Sequence, residues 1–302
     1  MAGSRAAVQN RLVGIGFRIA ATTSFAFMAA MIKLGHDAGI TLPELAFYRF
    51  AFGLPPLLAW ILLTRNYGAW RTKRPGSHLL RSVLGLATLI LGFSALAYLP
   101  LAEATTLSFV APLFAVMLSA LILGENVGRY RWSAVALGLV GVMIVMQPSG
   151  ESLPLIGLVL ALLAALGVAG VTITLRDLGR TESTPTMVLW FSGFSILLAG
   201  ALMPFFAETH DVREWAILAA LGLAGGVGQL FLTSSLRYAP VAVVVPFDYV
   251  QLLWAVLLGW LIWNNHPQPT SWAGAAIIVG SGLFTVWREH RLGRDRLRPE
   301  PL

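Results

Sequence analysis

The sequence predicts an all-α membrane protein: ten transmembrane helices, arranged as two inverted five-helix repeats, with both termini cytoplasmic. Three observations predict it. The composition is too apolar for water, the apolar runs are separated by loops that alternate in basic charge, and the segment from Tyr98 resembles the one from Tyr238. Of 302 residues, 57% are hydrophobic and 12% charged, and the mean hydropathy is +0.76. A soluble domain carries about a quarter charged residues, whereas a bilayer solvates this much apolar surface. The 30 glycines agree, because glycine is commoner in membrane helices than in soluble ones.

The absence of cysteine excludes a disulfide framework, a thiolate metal site, an iron–sulfur cluster and a cysteine nucleophile. The net charge of +7 is gathered in short connections and the tail, not along a surface that a nucleic acid would follow. The opening MAGSRAAVQNR leads into an apolar run with no small-residue cleavage site, which predicts a retained first span.

Runs of about 20 apolar residues cross a hydrocarbon core. Arg5 and Arg11 precede the first, near 12–34, and the connection 35–42 has no Lys or Arg. The second, near 43–63, returns to Arg65, Arg71, Lys73 and Arg74. The third, near 79–98, reaches the uncharged turn 99–101, and the fourth, near 102–123, comes back to Arg129 and Arg131. The fifth, near 130–147, leads to 148–153, again without a basic residue, and the sixth, near 154–175, to Arg176 and Arg180. The seventh, near 185–206, precedes 207–212, without Lys or Arg, and the eighth, near 213–236, ends at Arg237. The ninth, near 240–262, leads to 263–270, and the tenth, near 271–288, to a tail holding Arg288, Arg291, Arg294, Arg296 and Arg298. Basic residues collect on the cytoplasmic side, so ten spans with both ends inside satisfy every loop. Trp60, Trp132, Trp190 and Trp287 fall near inner ends, and Trp215, Trp260, Trp263 and Trp272 near outer ends, as interfacial belts require. Trp254 alone lies deep, where packing against lipid or a neighbouring helix is the plain reading.

YLPLAEATTLSFVAPLFAVMLSALILGENVGRYRW aligns without a gap on YAPVAVVVPFDYVQLLWAVLLGWLIWNNHPQPTSW. Tyr98 meets Tyr238, Pro100 meets Pro240, Ala102 meets Ala242, Val110 meets Val250 and Trp132 meets Trp272. The copies lie five spans apart, an odd number, so the second must run through the membrane in the opposite direction. This divides the chain into units 1–147 and 148–302. Inverted repeats characterise secondary transporters, whose substrate site lies near midplane between the halves. The hairpins at Tyr98–Pro100, outside, and Tyr238–Pro240, inside, form a candidate gate pair.

YLPLAEATTLSFVAPLFAVMLSALILGE, the FYRF of the second run and PFDYVQLLWAVLLGWL resemble the EamA-like branch of the drug/metabolite transporter superfamily, and the resemblance covers essentially the whole chain. It implies a ten-helix inverted-repeat fold and a secondary carrier in a bacterial inner membrane. Members export amino acids and related metabolites or import nucleoside-like and vitamin-like compounds. Many carry an acidic residue where this chain has Asn264–Asn265, although Glu125 keeps it in the first unit.

All five histidines lie in or beside connections, which removes the usual metal ligands and general base from the interior. Glu44, Glu103 and Glu125 lie at span ends, and Arg81, at an inner end, is expected to snorkel. Asp248 is the carboxylate at depth, which costs about 2.5–3.5 kcal/mol on insertion scales. Three roles are open to it: binding a substrate ammonium or cycling a proton, pairing structurally with Arg49 or Arg18, or supporting the backbone around Pro246. Gln251 and, by drift, Trp254 share its stripe; Gln229 and Thr233, Thr88, and Thr105 with Ser108 place further polar groups on small-residue faces. Such faces either let helices approach or line a watery cavity. One acid among neutral polar walls suits a small zwitterionic or cationic amphipathic solute.

The reading is therefore a secondary transporter of amino acids or similar metabolites, with no cofactor, no metal and no nucleic-acid partner. It works as a monomer in the lipid bilayer, with export the direction implied by the resemblance. An importer of a larger metabolite is the first alternative. An intramembrane enzyme is the second, disfavoured because G-x-S-x-G, H-E-x-x-H, phosphate-loop and paired deep carboxylate patterns are lacking.

Overall fold

The computed structural model describes residues 11–65, 67–122, 129–146, 153–239 and 244–295, which are helical with no strand among them. In order these are α1 (Arg11–Asp37), α2 (Leu42–Ala51), α3 (Leu54–Leu63), α4 (Pro75–Tyr98), α5 (Leu101–Ser108), α6 (Ala111–Ile122) and α7 (Arg129–Met146). There follow α8 (Leu155–Leu178), α9 (Thr184–Gly200), α10 (Met203–Phe206), α11 (Val212–Tyr238), α12 (Val250–Trp263) and α13 (Pro269–Asp295). Short 3₁₀ segments occupy Tyr67–Trp70 and Val245–Tyr249. Six stretches are long and apolar enough to cross a membrane: Leu12–Asp37, Leu42–Leu63, Pro75–Tyr98, Leu101–Leu118, Leu155–Leu175 and Val212–Ser235. Four shorter apolar helices, Trp132–Val145, Pro185–Gly200, Phe247–Trp263 and Pro269–Phe284, fall where the remaining runs were expected.

Local chemistry explains where helices begin and break. Asp211 caps α11 by accepting the Glu214 amide at 2.7 Å, and the Glu214 carboxylate accepts the Asp211 amide at 3.0 Å. Such a reciprocal box satisfies two amides that a helix start leaves without partners. Proline sets the interruptions, because its ring removes an amide donor and collides with the carbonyl four residues back. Pro55 and Pro56 follow the joint between α2 and α3, Pro112 the joint between α5 and α6, and Pro204 the joint between α9 and α10. Pro246 lies within the 3₁₀ segment that leads into α12.

Helix α1 packs along α11, α4 along α8, and α7 along α13. Helix α5 lies between α8 and α12, and α2 contacts both α9 and α11. One core of Leu, Ala, Ile, Val and Phe side chains runs through these contacts. The outer surface is apolar as well, with Leu63 84%, Phe205 81% and Leu253 64% exposed, a surface suited to lipid tails. Close approach is specified by small residues: a Cβ on Gly141 would stand 3.0 Å from the Gly274 carbonyl oxygen, and one on Gly274 would stand 2.6 Å from that of Gly141. Glycines there let two backbones meet.

Three expectations about depth are corrected. Arg81 does not snorkel: it is 6% exposed and its guanidinium lies 3.9 Å from the centre of the Phe191 ring. His78 is fully buried and stacks on Trp190, with centroids 5.9 Å apart. Glu103 is buried rather than near water and accepts a hydrogen bond from Ser271 Oγ at 3.1 Å. Aromatic faces from another helix cover Arg81 and His78, leaving Nε and Nη1 of Arg81 and both ring nitrogens of His78 without a hydrogen-bond partner, while a hydroxyl meets Glu103. Glu125 lies outside the described residues.

Candidate functional site

A narrow cleft, with about 20 Å³ of room for water-sized groups, opens where the α2–α3 joint faces α9 and α11. Its walls include Arg49, Phe50, Phe191, Ser192 and Gln229. Glycine makes the joint possible: a Cβ on Gly226 would stand 2.5 Å from the Gly53 carbonyl oxygen, and one on Gly53 would stand 2.6 Å from that of Arg49. The chain crosses at this spot with no room for a side chain. The Arg49 guanidinium lies 4.4 Å from the centre of the Phe50 ring, and Phe50 meets Phe191 edge to face at 5.1 Å. The Nε of Arg49, and Nε and Nη1 of Arg81 behind Phe191, are buried without a hydrogen-bond partner.

Asp248 is not in this cleft. It stands on the 3₁₀ segment before α12 and accepts from both Nε and Nη2 of Arg18 on α1. Of the two arginines weighed as its partner, the structure brings Arg18 to it and directs Arg49 elsewhere. Gln251 is half-buried one turn on, and Trp254 packs on Phe27 of α1 at 5.6 Å. Further along the same helix pair, Trp263 Nε1 donates to Asp37 at 2.6 Å. Asp248 and Trp254 thus lie along a seam between α1 and the segment that runs into α12.

Gln229 lines the cleft beside Arg49, and Thr233 Oγ1 donates to the Gln229 carbonyl at 2.9 Å. Thr88 turns against α8, where a Cβ on Gly167 would stand 2.3 Å from its hydroxyl. Thr105 is buried, while Ser108 is exposed and donates to the Thr105 carbonyl at 2.7 Å. Of the hairpin residues, Tyr98 and Pro100 border a separate depression with Glu103 and Ser271, and Tyr238 stacks on Phe17 at 5.6 Å. Pro240 lies outside the described residues.

Sequence reading placed Arg18 and Arg49 at depth and missed Lys33 and Arg81. Lys33 on α1 donates to the carbonyls of Leu96 and Leu99 at 2.9 and 3.2 Å. With Arg18, Arg49 and Arg81 it makes four cations held inside the bundle. The available signal was Arg49 in FYRF, flanked by aromatic residues that shield a guanidinium from lipid. Among the described residues no group of His, Asp and Glu could hold a metal ion.

Two segments, 12–147 and 155–287, each match the EamA-like transporter family. A pseudopaline exporter of Pseudomonas aeruginosa is 30% identical over 269 residues, 88% of this chain and 93% of the relative. A riboflavin transporter of Rhizobium johnstonii is 34% identical over 250 residues, 82% of this chain and 80% of the relative. An S-adenosylmethionine uptake transporter of Rickettsia conorii is 28% identical over 251 residues, 82% of this chain and 84% of the relative. A chain of solved crystal structure superposes with a TM-score of 0.64 at 21% identity, covering 96% of this chain and 99% of the other, which establishes the fold. These relatives are transporters rather than enzymes, and the family match with the apolar helices makes this a multi-pass membrane protein. The chain belongs to the EamA-like transporter family.

Proposed function

We propose that the protein is a secondary carrier of amino acids and related small metabolites, exporting them across the bacterial inner membrane by alternating access. In this reading ten spans form two inverted units, 1–147 and 148–302, with both termini in the cytoplasm. One chain supplies both halves of the cavity, so the carrier works as a monomer. The observation that carries the reading is the contact between Phe109 and Tyr249, whose ring centroids are 4.8 Å apart. Phe109 lies at the α5–α6 joint and Tyr249 at the joint into α12, and the alignment that sets Tyr98 on Tyr238 sets Phe109 on Tyr249. Equivalent residues of two units touch only near the axis that relates them, and discontinuous helices at such an axis are where carriers of this kind bind substrate.

The packing supports the same reading. Exchanging the two units turns the α1–α11 pair into the α8–α4 pair and the α6–α8 contact into the α12–α1 contact, and leaves α7–α13 as it is. Export follows the pseudopaline exporter. The alternative, import of a larger metabolite, is favoured by the riboflavin and S-adenosylmethionine relatives. Counterflow by purified protein in liposomes tests the proposal: saturable exchange of a labelled amino acid, competed by others, is expected. Absence of exchange with all amino acids, together with exchange of riboflavin, would favour the alternative.

A further inference from the structure

We propose that Arg49, backed by Arg81, binds a carboxylate of the transported solute in the cleft between α2, α9 and α11. This rests on the carrier reading above and adds the chemical group that the cleft recognises.

The other deep cations are compensated within the chain. Arg18 has the Asp248 carboxylate, and Lys33 has two carbonyl oxygens. Arg49 and Arg81 have neither. Buried donors on both lack any partner, and each guanidinium is covered on one face by a phenyl ring. Ring stacking satisfies the face of a guanidinium and leaves its N–H edge unsatisfied. Arginine does not shed its proton in a protein, so the charge persists and an anion is the group that completes the site. A guanidinium edge matches a carboxylate with two parallel hydrogen bonds.

The lining of the cleft suits that group. Glycine at 225 packs beside the Arg49 side chain: a Cβ there would stand 3.0 Å from Met28 Sδ and 3.8 Å from Nε of Arg49. Ser192 and Gln229 add neutral hydrogen-bonding groups to the wall, and Phe50, Leu57 and Val188 add apolar surface. Those are the surroundings an amphipathic carboxylate needs: one anionic contact, a few neutral polar ones, and a greasy remainder. Arg81 stands behind Phe191, itself a wall of the cleft, and Gly85 gives that ring its place: a Cβ there would lie 2.7 Å from the ring edge. Arg49 is therefore the contact and Arg81 a second charge that favours the anion from behind.

The test is counterflow in proteoliposomes, with the common L-amino acids and the C-terminal amide of each one that competes. In the unaltered protein the acids compete and their amides do so at least about tenfold more weakly, the ratio expected for losing a charge-assisted pair. Arg49→Gln raises the half-saturation concentration about tenfold or more, Arg49→Lys less, and Arg81→Gln about threefold. Amides that compete as well as the acids overturn the proposal and leave the carrier reading in place. No exchange by any amino acid, in protein that stays monodisperse and unfolds cooperatively, overturns the amino-acid reading and the proposal with it. Should Arg49→Gln fail to fold, the acid–amide comparison still decides, because it uses the unaltered chain.

Discussion

Arg18 and Asp248, 230 residues apart, meet through two parallel nitrogen–oxygen contacts, Nε to Oδ1 and Nη2 to Oδ2, between α1 and the segment that leads into α12. A carboxylate at membrane depth is thus met by a charge of opposite sign from the other half of the chain. Removing one member strands the other. Asp248→Asn is expected to cost about 3 kcal/mol of stability, whereas Arg18→Met with Asp248→Leu recovers most of it. Thermal unfolding in detergent checks both. Transport separates a latch from a proton site: a latch gives an Asp248→Asn variant slowed alike at every pH, and a proton site gives one whose rate no longer varies with pH.

Gly226 and Gly53 bring α11 against the α2–α3 joint so closely that a Cβ on Gly226 would stand 2.5 Å from the Gly53 carbonyl oxygen. Backbone cannot move aside as a side chain can. Gly226→Ala is therefore expected to destabilise by about 1–3 kcal/mol and to lower transport, since the joint forms one wall of the cleft. Gly193 is the control: a Cβ there meets nothing within 4 Å, so Gly193→Ala leaves stability unchanged or slightly raised. Equal losses in the two variants would remove the close-approach argument.

Helix positions were legible because the signals are local. Apolar runs marked the six long apolar stretches and the four shorter apolar helices in order, and Pro112 and Pro204 each mark a joint that hydrogen-bonding rules demand. The site was only half legible. Asp248 stood out because nothing nearby in sequence explains a carboxylate there, but its partner comes from α1, and the alignment of one chain with itself does not name it. Arg81 was assigned to the interface because it lies six residues into its helix. Its actual direction depends on Phe191 and Gly85, which no spacing rule connects to it. Spacing left Thr88 open to a cavity or to helix packing, and its hydroxyl lies against Gly167, since a small-polar face serves helix packing as well as it serves water.

Glu182, in the turn between α8 and α9 and outside the membrane-spanning helices, accepts Thr72 Oγ1 at 2.7 Å and the Lys73 amide at 3.1 Å. Burial pushes its carboxyl up, but these two hydrogen bonds and the nearby Arg74 charge outweigh it, so the group titrates below its ordinary range. A folded-state value below the unfolded one stabilises above the unfolded pKa, about 4.3, and that stability is lost as pH falls through the folded value. Glu182→Gln should lower the unfolding temperature by about 1–3 °C at pH 7, with the difference from wild type fading below about pH 4. A difference that stays constant from pH 7 to pH 3 would mean that the carboxylate charge contributes nothing.

Phe109 and Tyr249 offer a direct test of the two-unit arrangement. Their rings touch at 4.8 Å and tilt by 53°, and each sits where its span changes direction. If the units move as rigid bodies about an axis through this contact, the pair is a pivot, and either ring alone is insufficient. Phe109→Ala and Tyr249→Ala are each expected to slow exchange about tenfold, a barrier change of about 1.4 kcal/mol, and the double variant no more than the worse single. The Tyr249 hydroxyl lies close to Gly282, so Tyr249→Phe keeps the ring contact and stays near the wild-type rate. Losses that simply add in the double variant would show that the two rings act separately, and the axis would then have to pass elsewhere.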